Sequence, residues 1–339
     1  MGVDLKPITE ARHIEMHELS GKIIAIDAFN AIHQFLSIIR QRDGTPLKDS
    51  KGRVTSHLSG LLYRTANMVD VGIKPVYVFD GKPHPLKLHT LQKRMEVRSE
   101  AEKEWKEAIE RGDMQEAFKK AIRTSRINEE IVKESKRLLA ALGIPYIDAP
   151  GEGEAQAAHM AKKGSVDSVA SQDFDCLLFG SPRLIRNLAV TGKRKLPDKQ
   201  IWVDIPIEEI LLEKVLEKNG ITREQLVDAA ILIGTDFNEG IKGIGPKKAI
   251  MLVKKYGNIE KIMENEDIHI ENYEEVRKIF LEPDVIDDYK IEFKEVNEEE
   301  AIKILCEEHQ FSMDRVKKAI EKYKKFAKSF KQASLFDFG

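Results

Sequence analysis

Short runs of β-branched and other apolar residues alternate, through the first half of the chain, with longer stretches in which apolar residues recur at helical spacing. Buried strands are predicted at Lys22-Ile-Ile-Ala-Ile, Pro75-Val-Tyr-Val-Phe, Ile144-Pro-Tyr-Ile and Ser165-Val-Asp-Ser-Val-Ala. Helices are predicted over residues 28–40, 57–71, 129–142 and 153–163. This alternation is typical of an α/β fold with a mostly parallel central sheet and helices on both faces.

Acidic residues follow every one of these predicted strands. In chain order they are Asp27, Asp80, Glu152 with Glu154, and Asp173 with Asp175. A single Asp in such a place is usually a helix cap or a loop residue. Because the carboxyl ends of parallel strands share one edge of the sheet, where open α/β sheets bind ligands, we expect all six to lie together.

Six carboxylates at one edge would raise one another's pKa and destabilise the fold unless cations neutralised them. The predicted ligands are all oxygen, which suits Mg²⁺ or Mn²⁺ and argues against zinc. Two such ions about 4 Å apart would activate a water and stabilise the leaving oxygen of a phosphodiester. The pattern therefore predicts metal-dependent phosphate hydrolysis without a side-chain nucleophile.

The composition sets broad limits on the protein. Its 339 residues, 42% of them hydrophobic, are enough for one large domain or two smaller ones. The net charge of −2 balances 55 basic against 57 acidic side chains, so binding to nucleic acid would depend on local basic patches. We expect neither secretion nor membrane spanning, and Cys176 and Cys306 are too isolated for a disulfide framework or a zinc site.

Several long motifs together resemble the flap endonucleases, the structure-specific 5′ nucleases of replication and repair, in their archaeal form. The motifs are Met1-Gly-Val-Asp-Leu, Ile24-Ala-Ile-Asp-Ala, Thr55-Ser-His-Leu-Ser-Gly, Gly72-Ile-Lys-Pro-Val-Tyr-Val-Phe-Asp-Gly-Lys-Pro, Ala149-Pro-Gly-Glu-Gly-Glu-Ala-Gln-Ala, Ser171-Gln-Asp-Phe-Asp-Cys-Leu-Leu-Phe-Gly, Gly234-Thr-Asp-Phe-Asn and Gly243-Ile-Gly-Pro-Lys-Lys. The resemblance implies cleavage of 5′ flaps and 5′-3′ exonuclease activity on branched DNA, by two-metal-ion hydrolysis, in Okazaki fragment processing and repair.

The resemblance adds a seventh ligand and divides the ligands between two Mg²⁺ ions, which Mn²⁺ would replace. One ion would be held by Asp27, Asp80, Glu152 and Glu154. The other would be held by Asp173, Asp175 and Asp236, with Glu154 shared between them.

The resemblance also implies a domain plan. A single nuclease domain would span residues 1–330, with an N-terminal part at 1–100, a helical arch at about 82–130, and an internal part at about 131–260 that includes a helix-hairpin-helix at about 224–258. Residues 331–339 would form a flexible tail.

The segment Gly243-Ile-Gly-Pro-Lys-Lys precedes an apolar-periodic helix at 249–256. Taken alone it would be an ordinary turn between helices. By resemblance, Gly243 and Gly245 expose backbone N–H groups to a DNA phosphate, Lys247 and Lys248 add charge, and a K⁺ ion bridges the hairpin to DNA. Such contacts grip the duplex without reading its sequence.

Residues 82–137 carry fifteen basic and eleven acidic side chains, many at helical spacing. Much of this segment is expected to be a solvated helix with i,i+4 ion pairs. The resemblance implies a mobile arch through which a single-stranded 5′ end threads, with Lys87 and Arg94 contacting the scissile phosphate.

Two positions concern the substrate directly. The resemblance brings Gly2 to the active site, where a side chain would obstruct DNA. His33 stands where the family commonly has a Tyr that stacks on a base. Two readings of His33 stay open: an imidazole that stacks on DNA, or a residue that covers the helix beginning at Ala28.

The C-terminal tail follows eight basic residues between positions 315 and 331. Gln332, Leu335 and Phe338 match the anchors of a peptide that binds a sliding clamp, while Gly339 replaces an expected second aromatic for which Phe336 would compensate. We therefore expect flapped DNA and a sliding clamp as partners of a monomer, in the cytoplasm near the nucleoid of an archaeal cell or in a eukaryotic nucleus.

Two other functions fit the sequence less well. A phosphatase with an aspartyl nucleophile needs Asp-x-Asp after its first strand, whereas this chain has Asp27-Ala-Phe. A non-catalytic DNA-junction binder or clamp adaptor would not need the acidic cluster, which is complete here. Among nucleases, a purely exonucleolytic relative remains an alternative.

Overall fold

The computed structural model describes residues 2–41, 43–190, 192–195 and 202–336, and it describes no side chains for 192–195, 202–204 and 330–336. The strands within these residues are β1 (Arg12–Ile14), β2 (Ile23–Asp27), β3 (Lys74–Phe79), β4 (Tyr146–Asp148), β5 (Ser168–Ala170), β6 (Arg183–Arg186), β7 (Gly192–Lys195), β8 (Trp202–Ile205) and β9 (Ile207–Leu211).

Helices connect and cover these strands. They are α1 (Ala28–Ile38), α2 (Ser56–Asp70), α3 (Leu88–Glu110), α4 (Met114–Ile122), α5 (Glu129–Ala141), α6 (Gly153–Lys162), α7 (Asp175–Leu178), α8 (Leu212–Asn219), α9 (Arg223–Ile233), α10 (Pro246–Tyr256), α11 (Ile259–Glu266), α12 (Tyr273–Leu281), α13 (Glu298–Ile302) and α14 (Met313–Phe336). Short 3₁₀ turns occupy Lys6–Ile8, Met16–Leu19 and Pro85–Lys87, and a π turn occupies Lys303–Glu308. No described helix is both long enough and apolar enough to cross a bilayer.

Seven strands form the central sheet, in the order β1-β9-β6-β5-β2-β3-β4. The five strands from β6 to β4 run parallel, with β2 between β5 and β3. Strand β9 pairs antiparallel with both β6 and β1, and β7 and β8 form a separate two-stranded ribbon. The sheet is therefore mostly parallel, as predicted, with an antiparallel margin.

Apolar side chains cover both faces of the sheet. Because successive residues of a strand point to opposite faces, Ala25 belongs to one core while Ile24 and Ile26 belong to the other. The first core is closed by α6 and the helices α9 to α12, and the second by α1, α2, α5 and α14. The predicted arrangement with helices on both faces is thus confirmed, and it leaves the carboxyl ends of the parallel strands at one edge.

The element boundaries differ slightly from those predicted. Strand β2 includes Asp27, and α1 ends at Ile38, where the Arg40 side chain donates to the Leu36 carbonyl at 2.8 Å. Strand β4 begins at Tyr146 because Pro145 has no N–H, although its carbonyl accepts from Tyr77 at 3.1 Å. Helix α10 begins at Pro246, three residues before the predicted start, since proline suits the first turn of a helix.

Helices α3 and α4 fold back on each other as a hairpin within the segment predicted to be an arch. Four alanines in the pair, Ala101, Ala108, Ala117 and Ala121, are buried, and Trp105 donates from Nε1 to the Asp43 carbonyl at 3.2 Å. The helical content of the arch is confirmed, while its mobility stays a prediction.

Candidate active site

The parallel strands deliver six carboxylates to one edge of the sheet. Asp27 ends β2, Asp80 follows β3, and Glu152 and Glu154 lie at the start of α6 beyond β4. Asp173 and Asp175 follow β5. Since β5, β2, β3 and β4 are neighbours in the sheet, the acidic residues predicted from strand ends do come together.

Backbone N–H groups fix one oxygen of several of these carboxylates. Asp27 Oδ1 accepts from Asn30 N at 2.9 Å, so Asp27 is also the cap of α1. Asp80 Oδ1 accepts from Gly153 N at 2.8 Å, and Asp175 Oδ1 accepts from Val3 N at 2.9 Å. Each carboxylate is held from one side, which orients it without neutralising its charge.

Side chains hold two further members of the cluster. Glu154 Oε1 accepts from Ser171 Oγ at 2.9 Å and from Cys176 Sγ at 3.5 Å. Asp173 Oδ2 accepts from Asn30 Nδ2 at 3.4 Å. None of these three donors, Ser171, Cys176 and Asn30, was predicted to be a site residue.

The seventh carboxylate, Asp236, lies in the loop after α9 and is buried, as are Asp27 and Asp175. Two cations from the base of the arch reach it. Arg94 Nη2 lies 2.6 Å from Asp236 Oδ1, and Lys87 Nζ lies 3.8 Å from Asp236 Oδ2 while also pairing with Glu152. The structure therefore brings both predicted basic residues to the predicted acidic cluster.

Burial and mutual repulsion shift the ionisation of the cluster. Burial, followed by the charge of Asp80, raises the pKa of Asp27 to about 8. Burial, followed by the charge of Asp236, raises the pKa of Asp175 to about 8. Burial and the charge of Asp27 raise the pKa of Glu154 well above its ordinary value. These groups release their protons readily only if other positive charge takes the protons' place.

The carboxylates fit hard divalent cations by the chemistry of their donors, which are all oxygen, and by this excess of buried negative charge. In the described part of the chain, no group of three or more His, Cys, Asp or Glu side chains is arranged so that it could hold a metal ion as it stands. Lys87 and Arg94 supply positive charge at Glu152 and Asp236 instead.

Comparison with known proteins places this site in a family. The model of the XPG N-terminal domain matches residues 2–101, and that of the XPG I-region matches residues 143–236. Flap endonuclease 1 of Archaeoglobus fulgidus is 56% identical over 324 residues, covering 96% of each chain. Its counterpart in Pyrococcus abyssi is 54% identical over 337 residues, covering 99% of this chain and 97% of the relative.

A solved structure agrees with these matches. Flap endonuclease-1 from Methanococcus jannaschii superposes with a TM-score of 0.78 at 42% identity, covering 97% of this chain and 99% of that one. The chain belongs to the flap endonuclease family. The resemblance found from the motifs is thereby confirmed, and so is the fold class.

The flap endonuclease hairpin predicted at residues 224–258 is formed by α9 and α10, which pack against each other. Gly243 adopts a φ of +86°, a conformation that favours glycine, and Gly245 precedes α10 without a capping side chain. Lys247 and Lys248 are exposed at the first turn of α10. The backbone N–H groups at this helix start are accessible to an anion.

Gly2 of this family member lies against the cluster. A Cβ at Gly2 would be 2.2 Å from Asp175 Oδ1, so any side chain there would displace a carboxylate. His33 lies on α1 and is only partly covered by its neighbours. Partial burial, and then the charges of Arg98 and Arg94, lower the pKa of His33 to about 4, so its ring is neutral at physiological pH.

Helix α14 continues to Phe336, so its backbone includes Gln332, Leu335 and Phe336, which were predicted to lie in a flexible tail. The side chains of these three residues are not described, and Phe338 lies outside the described residues. Clamp binding by this segment stays a prediction.

Proposed function

We propose that this protein is a structure-specific 5′ nuclease that cleaves flapped DNA endonucleolytically, trims 5′ ends as an exonuclease, and acts in Okazaki fragment processing and repair. One observation carries the proposal: seven buried or half-buried carboxylates and two cations of the arch base, Lys87 and Arg94, meet at one edge of the sheet. Membership of the flap endonuclease family supports the same activity.

Two Mg²⁺ ions are the cofactors we propose, with Mn²⁺ as a substitute. Asp27, Asp80, Glu152 and Glu154 would hold one, and Asp173, Asp175 and Asp236 the other, with Glu154 shared. When bound, such ions lower the pKa of a water and stabilise the charge that develops on the scissile phosphate. Burial is the first cause of the raised pKa values of Asp27 and Asp175. These raised values support the binding of cations at the cluster, since cations would favour the ionised carboxylates.

The chain's own residues would position the DNA. Lys87 and Arg94 would exchange their carboxylate partners for oxygens of the scissile phosphate; their ion pairs with Asp236 support this role. The neutral, exposed ring of His33 would stack on the base beside the cut. The absence of a side chain at Gly2 keeps Asp175 in place.

The hairpin of α9 and α10 would bind the DNA duplex at a distance from the cut. Lys247 and Lys248 would pair with phosphates, and a K⁺ ion would bridge the hairpin to the DNA. These contacts carry no base specificity, which suits an enzyme that recognises DNA shape. The monomer would be tethered to a sliding clamp through Gln332, Leu335, Phe336 and Phe338.

A non-catalytic junction binder would have no use for buried carboxylates that repel one another. Removing that repulsion would stabilise such a protein, yet all seven acidic residues are present. Catalysis is therefore the better explanation of the cluster.

The test uses a 5′-labelled flap substrate and purified protein in Mg²⁺, with EDTA as the control. We expect a product cut at the base of the flap in Mg²⁺ alone, and a large loss of cutting in Asp173→Asn. An intact flap in Mg²⁺ would refute the activity. Normal cutting by Asp173→Asn would instead refute the metal-site assignment. A blunt duplex measured in parallel separates exonuclease from endonuclease activity.

A further inference from the structure

The Ser171 hydroxyl lies between carboxylates from different parts of the fold. Its Oγ is 2.9 Å from Glu154 Oε1 on α6 and 3.1 Å from Asp27 Oδ2 at the end of β2. The same Oγ accepts a hydrogen bond from the Asp173 backbone N–H at 3.1 Å. Ser171 is 5% exposed, so water does not readily replace these contacts.

A serine hydroxyl carries one proton and two lone pairs. Here the proton is shared between Asp27 and Glu154, and a lone pair takes the Asp173 N–H. One oxygen atom thus connects three of the seven carboxylate residues, which come from β2, from α6 and from the loop after β5.

Loss of the Ser171 hydroxyl should affect the two carboxylates that accept its hydrogen bond to different degrees. Asp27 keeps a second anchor, because Asn30 N holds its other oxygen at 2.9 Å. Glu154 has a longer side chain, which loses more rotamer freedom when it is held in one position. Glu154 also accepts from the Cys176 thiol, at 3.5 Å, but thiols are weak donors. Loss of Ser171 would therefore release Glu154 more than Asp27.

We propose that Ser171 is a positioning residue that fixes Glu154 relative to Asp27 and thereby sets the affinity of the site for divalent cations. The proposal rests on the function proposed above, because it takes both carboxylates as metal ligands. Partners that orient metal ligands from behind typically change metal affinity or activity by about 10–100-fold when removed.

The experiment compares Ser171→Ala with two other variants. Ser171→Thr restores a hydroxyl at the same position. Ser168→Ala removes another buried serine hydroxyl from the same strand region, one that has no hydrogen-bond partner among the described residues. Mn²⁺ binding to each protein is measured by titration calorimetry without DNA, and the Mg²⁺ dependence of flap cutting is measured separately. The melting temperature of each variant confirms that it is folded.

We expect Ser171→Ala to bind Mn²⁺ about tenfold or more weakly. Its half-saturating Mg²⁺ concentration should rise by a similar factor, and most of the cutting rate should return at high Mg²⁺. Ser171→Thr should recover most of the lost affinity, and Ser168→Ala should behave as wild type. DNA affinity in EDTA should be the same in all four proteins, since the Ser171 side chain is buried.

Mn²⁺ affinity of Ser171→Ala within about twofold of wild type would overturn the proposal. An equal loss in Ser168→Ala would also overturn it, because the effect would then be general loosening of the core. If wild type binds Mn²⁺ and Ser171→Ala does not, while wild type fails to cut flaps, the function is refuted and the positioning role survives. The calorimetric and cleavage results therefore separate the two failures.

Discussion

The Arg94 guanidinium lies 2.6 Å from the Asp236 carboxylate, although 142 positions separate the two residues along the chain. This ion pair joins the base of the arch to the loop after α9, beside the cluster of carboxylates. An arginine held here can present two parallel donors to a phosphate, which a lysine cannot do.

Replacement of Arg94 by alanine should therefore slow flap cutting at saturating substrate and Mg²⁺. Loss of one donor that stabilises transition-state charge typically costs about 10²–10³ in rate. The matched control is Lys93→Ala, which removes the neighbouring cation, an exposed residue paired with exposed Glu239. Single-turnover rates should fall for Arg94→Ala and stay near wild type for Lys93→Ala. Equal losses would show that only the total charge of the arch matters.

Much of this site follows from local pattern alone. Short apolar runs predicted β2, β3, β4 and β5. Because neighbouring parallel strands end at a common edge of the sheet, Asp27, Asp80 and Asp173 were expected to lie close together. The antiparallel margin was missed because β1 and β9 are short and mix charged with apolar residues, as Ile207-Glu-Glu-Ile-Leu illustrates.

Contacts between distant segments carry no such local signal. Asp236 lies in a loop after a helix, and only the family resemblance identified it. Ser171 contacts Asp27 across 144 positions, a relation that no periodicity encodes. The contact between Asn30 and Asp27 could have been predicted. Asn30 lies three residues after Asp27 at the start of a helix, where the backbone N–H commonly donates to the side chain of the capping residue.

Exposed lysines at the start of α10 should govern affinity for duplex DNA. The double variant Lys247→Ala with Lys248→Ala should weaken binding uniformly across DNA sequences. It should also reduce the slope of log affinity against log salt by about 2, since each phosphate contact contributes about 0.9. Binding is measured in Ca²⁺ over a KCl series. Lys255→Ala, at the other end of α10 and paired with Glu266, is the control and should leave the slope unchanged.

The close crossing of α1 and α2 depends on a glycine. A Cβ at Gly60 would lie 2.1 Å from Phe35 Cγ, and Phe35 is buried. Alanine in a helix gains about 1 kcal/mol over glycine, whereas overpacking a core costs about 1–3 kcal/mol. Because Phe35 has little room to move, Gly60→Ala should lower the free energy of unfolding, measured by urea titration. Phe35→Leu should restore part of the loss in the double variant, whereas additive losses would mean that the two residues do not clash.

Buried histidines and carboxylates link the end of the π turn to the helices behind the sheet. Glu134 on α5 lies 3.0 Å from His57 Nε2 and 3.0 Å from His309 Nε2, and His309 Nδ1 lies 3.0 Å from Asp49. Burial alone would raise the pKa of Glu134, but hydrogen bonds from His309 and His57 outweigh it and lower this pKa to about 2.

A carboxylate whose pKa is lower in the folded protein stabilises the fold most at pH values above its unfolded pKa of 4.5, and this stability is lost as the pH falls toward about 2. Wild type should therefore lose stability steeply below about pH 4.5. Glu134→Gln should be less stable at neutral pH but should lose less on acidification, because glutamine does not titrate. Urea midpoints across this pH range measure both effects. Glu129→Gln, an exposed change on the same helix, should retain the wild-type pH dependence. A Glu134→Gln profile parallel to that of wild type would show that the cluster does not carry the acid sensitivity.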